Sequence, residues 1–410
     1  MKPFRSITSF ATTTAISFGV LTAFLSSNAC AQACPGDLNG DGQVNGADLG
    51  ALLGSWGICP VLAPTISSVN PNYGPQTGGT VFVINGANLN GATSVTVGGV
   101  AATITVVSPT AIAVTAPVSA TTGLKDVVVT TPGGMATAVG AFNYGLSWAT
   151  VIEFAPSPAV VTNATMRAAI TATGLPWRVR DTATQMEMLL VPPGAFTMGC
   201  TASNLYACAS DENPTHSVTL TQAFYLGRYE VTQAQWVARM PSNPSYFQGA
   251  SYPDAANRPV EQVSWNTIQG YLSATGMRLP SEAEWEYACR AGTTTAFNNG
   301  SSDDATVGTI AWYSSNSGNQ THAVGGKAAN ALGLYDMSGN VWEWVNDWYG
   351  STYYSVSPST NPLGPVSGPS RVFRGGSWGI FTNYVRSSYR LSGTPDNTNY
   401  DLGFRVARAP

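Results

Sequence analysis

The rhythm of apolar and polar positions changes several times along this chain, and each change predicts a different kind of element. Behind Lys2 and Arg5 runs an apolar stretch rich in Thr, Ala, Ile, Phe and Leu, which ends at 29–33 in Ala-Cys-Ala-Gln-Ala. Leu49, Leu52, Leu53 and Trp56 then recur at helical spacing and predict a short helix with one apolar face. From 63 to about 144 the period falls to two, with the clearest strands at 80–84, 94–97, 111–114 and 126–130. Asn85-Gly86, Gly98-Gly99 and Pro132-Gly133-Gly134 supply turn chemistry between them. Short, evenly spaced strands without a helix predict an all-β, immunoglobulin-like sandwich over 63–145.

Residues 146–185 read as a connector packed on the last domain, with a short helix at 163–170 and a strand at 177–180 whose Trp177 needs cover. Beyond it come a strand, a turn and a second strand over 186–199, then another strand at 217–220. Thr232 with Gln235, and Ser281 with Glu284, each have the spacing of a capping box and so announce helix starts. A third helix begins at 263–265. Few helices, short strands and long loops predict an α+β domain over 186–410.

Composition narrows the setting. A chain of 410 residues exceeds one ordinary core and predicts a multidomain protein. Only 10% of residues are charged and the formal net charge is −4, so no basic face exists to neutralise phosphates, which excludes nucleic acid as a partner. The basic start, apolar middle and small-residue end of 1–33 are those of a secretory signal peptide, with cleavage after Ala31 or Ala33. No later apolar run is long enough to span a bilayer, so the expectation is a secreted or extracytoplasmic protein without a membrane span. Without Cys30, Cys34 and Cys59 flank one small module at 34–60, and Cys200 and Cys208 flank one loop, which makes both pairs candidate disulfides. Cys289 is left single, flanked by Ala288 and aromatic residues, as a small buried thiol would be.

Two stretches carry candidate metal chemistry. In the first, Asp37, Asn39, Asp41, Gln43, Asn45 and Asp48 occupy the ligand positions of an EF-hand loop, with Gly42 at the sharp turn and Val44 as the expected core anchor. This stretch resembles half of a type I dockerin, a single repeat where that family has two, and the resemblance implies calcium. Residues 66–79 resemble the opening of the IPT/TIG domain. The sandwich that follows has no catalytic constellation and reads as a spacer or interaction module.

The second stretch is 333–344, Gly-Leu-Tyr-Asp-Met-Ser-Gly-Asn-Val-Trp-Glu-Trp, where Asp336 and Glu343 sit among aromatic groups that want burial. Buried carboxylates need a partner, either a hard cation such as calcium or backbone amides and arginines. With 276–287, Arg374-Gly375-Gly376-Ser377-Trp378 and Gly403-Phe404-Arg405, it resembles the formylglycine-generating enzyme, or sulfatase-modifying factor, family over about 186–408. The resemblance implies a variant of the C-type lectin fold and a calcium site at Asp336, Gly339, Val341 and Glu343. The family's second calcium site falls at 309–312, where apolar Ile310 replaces an amide, so that site is not expected here.

The family's copper(I)-binding cysteines fall on Ile380 and Val385, and neither side chain can ligate a metal, so copper is not expected. The iron-dependent relatives need a histidine cluster, whereas this chain has only His216 and His322. Arg374, Arg386, Arg390 and Arg405 either offer bidentate donors to an anionic ligand or pair with Glu282, Glu284, Glu286 or Asp347 and lock the closing strands. Trp378, Phe381, Tyr384, Arg386 and Arg390 are the candidate ligand-binding set. The functional expectation is a calcium-binding recognition protein whose partner is an extracellular protein or glycan. The alternative is an oxidoreductase of the formylglycine-generating type with a relocated site.

Overall fold

The computed structural model describes residues 36–54, 61–146, 148–201 and 206–410, in two units, Met1–Pro60 and Val61–Pro410. The signal peptide and the pairing of Cys34 with Cys59 lie outside the described residues, as does Trp56.

In the first unit the loop beginning at Asp37 leads into the helix Gly46–Gly54. The helical spacing of the leucines is realised, but Leu49, Leu52 and Leu53 are exposed. Val44, the expected anchor, is 64% exposed rather than buried. The described part of this unit is too short to build a core for them, and its one buried side chain is Asp48.

The second unit opens with a two-sheet sandwich. One sheet runs Thr65–Asn70, Val81–Ala87, Ala111–Thr115, Thr103–Val107, and the other Tyr73–Pro75, Gly134–Gly145, Gly123–Thr131, Ser94–Val97, Val100–Ala101. The period-two pattern decides which side faces in. Phe82, Ile84, Val95, Val97, Ile112, Val114, Val127 and Val129 form the core, whereas Val81 is exposed.

The last domain begins earlier than the strand signal at 186 suggests. Its five-stranded sheet runs Ala149–Glu153, Arg178–Asp181, Glu187–Val191, Phe224–Gly227, Ala407–Arg408, so the connector contributes the first two strands. The helix Ala164–Ala172 adds Met166 and Ile170 to the core, and Trp177 is covered. A four-stranded sheet, Arg390–Gly393, Arg371–Arg374, Trp342–Trp348, Leu402–Phe404, carries the two most conspicuous motifs side by side. Its last strand runs parallel to the tryptophan strand and pairs Trp342 with Leu402 and Glu343 with Gly403.

Both capping boxes form. Thr232 accepts the Gln235 amide ahead of the helix Gln233–Val237, and Ser281 accepts the Glu284 amide at 3.1 Å ahead of Glu282–Arg290. Ser264 caps Trp265–Thr275, which ends on Gly276 in the left-handed region. The helix Glu282–Arg290 matters most, because nearly every side chain on it is buried and it turns Glu282 and Glu286 into the domain. Ser281→Ala is expected to lower stability by about 1 kcal/mol in chemical denaturation, with the transition still cooperative.

Candidate functional site

Four arginines organise the closing region. Arg390 grips Glu282 with Nε and Nη2 at 2.8 and 2.7 Å, and Arg386 grips Glu212 through both terminal nitrogens at 2.8 and 2.7 Å. Arg405 holds both oxygens of Glu343 at 2.6 Å. Arg374 pairs with Glu286 and also donates to the carbonyls of Ser388 and Tyr389 at 2.6 and 2.7 Å. All eight side chains are essentially sealed from water. Burial opposes the charge on Arg374, but Glu286 and the other neighbouring acids outweigh it and hold its pKa above the ordinary value. Arg386 and Arg390 are therefore corrected as ligand-binding candidates, since their donors are spent inside the domain. Glu284, another of the acids considered as a partner, pairs with Arg278 instead.

The loop after Arg374 needs its glycines. Gly375 and Gly376 both have positive φ, and a Cβ on Gly376 would lie 2.7 Å from Val385 Cγ1 and 2.9 Å from the Tyr384 carbonyl. That close return brings 377–385 back against the loop. Val385 is completely buried with Ala296, Phe297, Val307, Ile310 and Ala311, and half-buried Ile380 packs on the same cluster. The two positions that would carry copper-binding thiolates are thus filled by aliphatic packing. Cys200 and Cys208 form a disulfide. Cys289 is sealed beneath Met337 and Asn298, and burial pushes its thiol up to about 11, so the unreactive protonated form prevails. His216 lies against Tyr354, while His322 stacks on Trp312 at 3.8 Å with Nε2 beside the Ser317 carbonyl. Among the described residues, no group of three or more His, Cys, Asp or Glu side chains is arranged to hold a metal.

The calcium candidates differ in what already occupies them. In the N-terminal loop, Asp48 Oδ1 accepts the amide of Leu38 at 2.8 Å and Oδ2 that of Asn45 at 2.7 Å, which ties the two ends together. Asp37 accepts the amides of Gly40, Asp41 and Gly42. Asn39, Asp41 and Asn45 each accept one backbone amide within the loop, Asp41 also accepts Asn39 Nδ2 at 3.0 Å, and no bond of this kind is made by the Gln43 side chain. In this structure the loop's carboxylate oxygens are engaged by its own backbone amides. In the second stretch Asp336, Gly339 and Val341 lie in the loop that leads into the strand Trp342–Trp348, which carries Glu343, but Glu343 already accepts Arg405 and, at 2.6 Å, the Trp285 indole N–H. Asp336 is buried in a left-handed conformation and accepts the Gly325 amide at 2.7 Å. Burial pushes it up to about 6. Beside it, Glu230 accepts Asn340 Nδ2 and the Val341 amide, and burial with two acidic neighbours holds it well above the carboxylate range. Three carboxylates here face one guanidinium, and Glu230 is the member that sequence reasoning missed. Its signal was a lone acid between Tyr229 and Val231, behind the apolar residues 224–226.

The exposed aromatic surface is also partly different from the expected one. Phe381 is 70% exposed, Tyr384 is half-buried against Tyr389, and Trp378 is buried, packing edge-on to Phe247 and against Tyr400. Tyr400 and Tyr246, their rings 6.1 Å apart, present the accessible face that Trp378 was expected to offer. Beneath them lie two acids, Glu261, which accepts the amides of Tyr246 and Phe247 at 3.0 Å, and Asp401, which accepts the Ser377 hydroxyl at 2.8 Å. These residues come from loops far apart in the chain, and no local pattern links them.

Residues 178–410 match the sulfatase-modifying factor enzyme 1-like domain, and residues 64–144 match the IPT/TIG domain. The first match covers more than half of the chain. The protein belongs to the sulfatase-modifying factor family. It is 32% identical to a formylglycine-generating enzyme of Streptomyces coelicolor, over 56% of this chain and 90% of that one. It is 31% identical to a chaperone protein LppX of Paenibacillus barcinonensis, over 56% and 91%. Among solved structures it is similar to PvdO from Pseudomonas aeruginosa, with a TM-score of 0.50 and 30% identity over 57% of this chain and 98% of that one.

Within this sulfatase-modifying factor domain the buried pairs define one prediction and the buried acids another. Arg386→Met leaves buried Glu212 without its guanidinium partner and is expected to destabilise the domain by roughly 3–5 kcal/mol in denaturant titration, whereas the double change with Glu212→Leu recovers part of that loss. Burial pushes Glu261 up from 4.5 to about 7, against the pull of its two amide donors. The folded state therefore binds more protons than the unfolded chain in that window, so this group's contribution to stability falls as pH rises through it. Glu261→Gln is expected to remove that slope between pH 4.5 and 7, on the order of 2 kcal/mol relative to the parent, whatever constant offset the substitution adds. Parallel curves for parent and variant would refute it.

Proposed function

We propose that this chain is an extracytoplasmic, calcium-binding recognition protein whose sulfatase-modifying factor domain binds a protein or glycan and does not oxidise cysteine. The observation that carries the reading is the packing of Ile380 and Val385. Copper(I) is held by soft thiolates, and two aliphatic side chains locked in a small apolar cluster supply none. A relocated oxidase would have to use Cys289, whose sealed, protonated thiol meets neither oxygen nor substrate. Relatives named for different roles, an enzyme and a chaperone, are compatible with a domain that keeps its frame while its surface chemistry changes.

The binding face in this reading is exposed Phe381 together with Tyr400 and Tyr246, the two tyrosines packed on buried Trp378 and Phe247. Aromatic rings fixed by a buried neighbour lose little freedom on binding, which favours them as contact residues. Calcium is assigned to the loop of Asp37, Asn39, Asp41, Gln43, Asn45 and Asp48. Asp336 with the carbonyls of Gly339 and Val341 forms the second candidate set, and there a cation would relieve the surplus of negative charge that Arg405 leaves unbalanced.

Incubating the full chain with a cysteine-containing sulfatase peptide, copper(I) and oxygen is expected to give no aldehyde by mass spectrometry. Aldehyde formation would overturn the reading. In the same preparation a calcium chelator is expected to lower the unfolding temperature, and Asp41→Ala to abolish only the share contributed by the N-terminal loop. No chelator effect would count against calcium at either place.

A further inference from the structure

An open recess of about 570 Å³ borders the Val385 cluster through Ile310 and shares no residue with the aromatic face. It is lined by residues 159–160 and 162–163 of the connector, the turn at 291–293 with 298–299, and residues 309–310 and 328–331. Its polar lining is threonine and asparagine throughout, with Thr293, Asn298 and Asn330 set between Val160, Ile310 and several alanines, and it has no charged side chain. Gly292, at φ +92°, makes the turn possible, because a Cβ there would lie 2.9 Å from Asn163 Nδ2.

Most of these amides are already committed. Asn330 donates to the carbonyls of Ala288 and Cys289 and accepts the amides of Leu332 and Leu334. Asn163 caps the helix Ala164–Ala172. Asn298, only 3% exposed, differs. Its Nδ2 donates to Ser338 Oγ at 3.2 Å, and that hydroxyl spends its own hydrogen on the Val385 carbonyl at 2.9 Å. The amide orientation is thereby set, and Oδ1 is left buried with no partner. Thr293 Oγ1, on the same lining, is also buried without one. Two unmet oxygens in one recess cost roughly 1–3 kcal/mol each until a donor reaches them.

We propose that this recess is a binding site for a neutral, hydroxyl-rich ligand, a monosaccharide or the terminal sugar of a glycan. Adjacent hydroxyls can donate to Asn298 Oδ1 and Thr293 Oγ1 together, and the C–H face of the ring can lie on Val160, Ile310 and the alanines. A charged ligand would lose hydration and find no counter-charge on this lining, and a purely apolar one would leave both oxygens unmet. The site is separate from the aromatic face and does not depend on the reading given above for that face.

The test is a calorimetric or ligand-observed NMR titration of the full-length protein with glucose, galactose, mannose and N-acetylglucosamine, alongside glucosamine and glucuronate. At least one neutral sugar is expected to saturate in the millimolar range, with its charged counterpart at least about tenfold weaker. Ala328→Trp, at the exposed rim, is expected to cut that affinity about tenfold or more with an unchanged unfolding temperature. Asn298→Leu removes the buried acceptor and is expected to abolish binding, and Thr293→Val serves the same purpose if the first variant does not fold. Equal binding of the methyl glycoside and of a disaccharide ending in the same sugar supports a glycan terminus, and binding of the free sugar alone supports a small-molecule ligand. Absence of saturation by every neutral sugar, undiminished binding in Ala328→Trp, or equal affinity for the charged analogues would overturn the proposal. So would a peptide that binds where no sugar competes but is lost in Ala328→Trp.

Discussion

The closing region depends on buried guanidinium–carboxylate pairing. Glu212, Glu282, Glu286 and Glu343 come from a loop, a helix and a strand, and each meets an arginine from the last forty residues of the chain in a water-excluded contact. Such pairs add little net stability over apolar packing, yet losing one partner strands a charge in low dielectric. Their directional, two-point geometry admits one docking of the closing strands on the helix Glu282–Arg290 and the tryptophan strand. Long loops can then leave this frame without dissolving it.

That separation of frame from loops explains how a sulfatase-modifying factor domain can keep its architecture while its chemistry changes. The tryptophan strand is paired in register with the strand that leads into the Gly-Gly-Ser turn and with the strand of the Gly-Phe-Arg close. The substituted positions lie just beyond that turn, where Ile380 and Val385 join a small apolar cluster. Aliphatic groups there stabilise the loop by burial, which metal-binding thiolates would not do. What remains accessible nearby is aromatic rather than nucleophilic.

The acids form a second layer of organisation. Glu230, Asp336 and Glu343 share one arginine, while Glu261 and Asp401 underlie the exposed tyrosines and are not balanced by an adjacent guanidinium among the described residues. Burial raises the proton affinity of Glu230, Asp336 and Glu261, so the charge beneath these loops depends on pH. These acids make the loops sensitive to protons and cations in a manner the overall net charge of −4 does not suggest.

Much of this molecule was determined by local sequence alone. Period-two alternation placed Phe82, Ile84, Val95 and Val97 inside a sandwich, and the spacing of Thr232 with Gln235 and of Ser281 with Glu284 marked two helix starts, because these features depend on neighbours within one turn or one pleat. The positions of Ile380 and Val385 were equally legible, since they follow a motif at fixed distance. Other features were decided only by the tertiary structure. Arg386 and Arg390 could have faced a ligand until Glu212 and Glu282 arrived from 174 and 108 residues away. Glu230 and Tyr400 acquired their surroundings the same way, and the connector joined the sheet of the last domain only when Arg178–Asp181 paired with Glu187–Val191. Local propensity is written within a few residues, whereas burial, charge partnership and accessibility are set by whichever distant segment packs alongside.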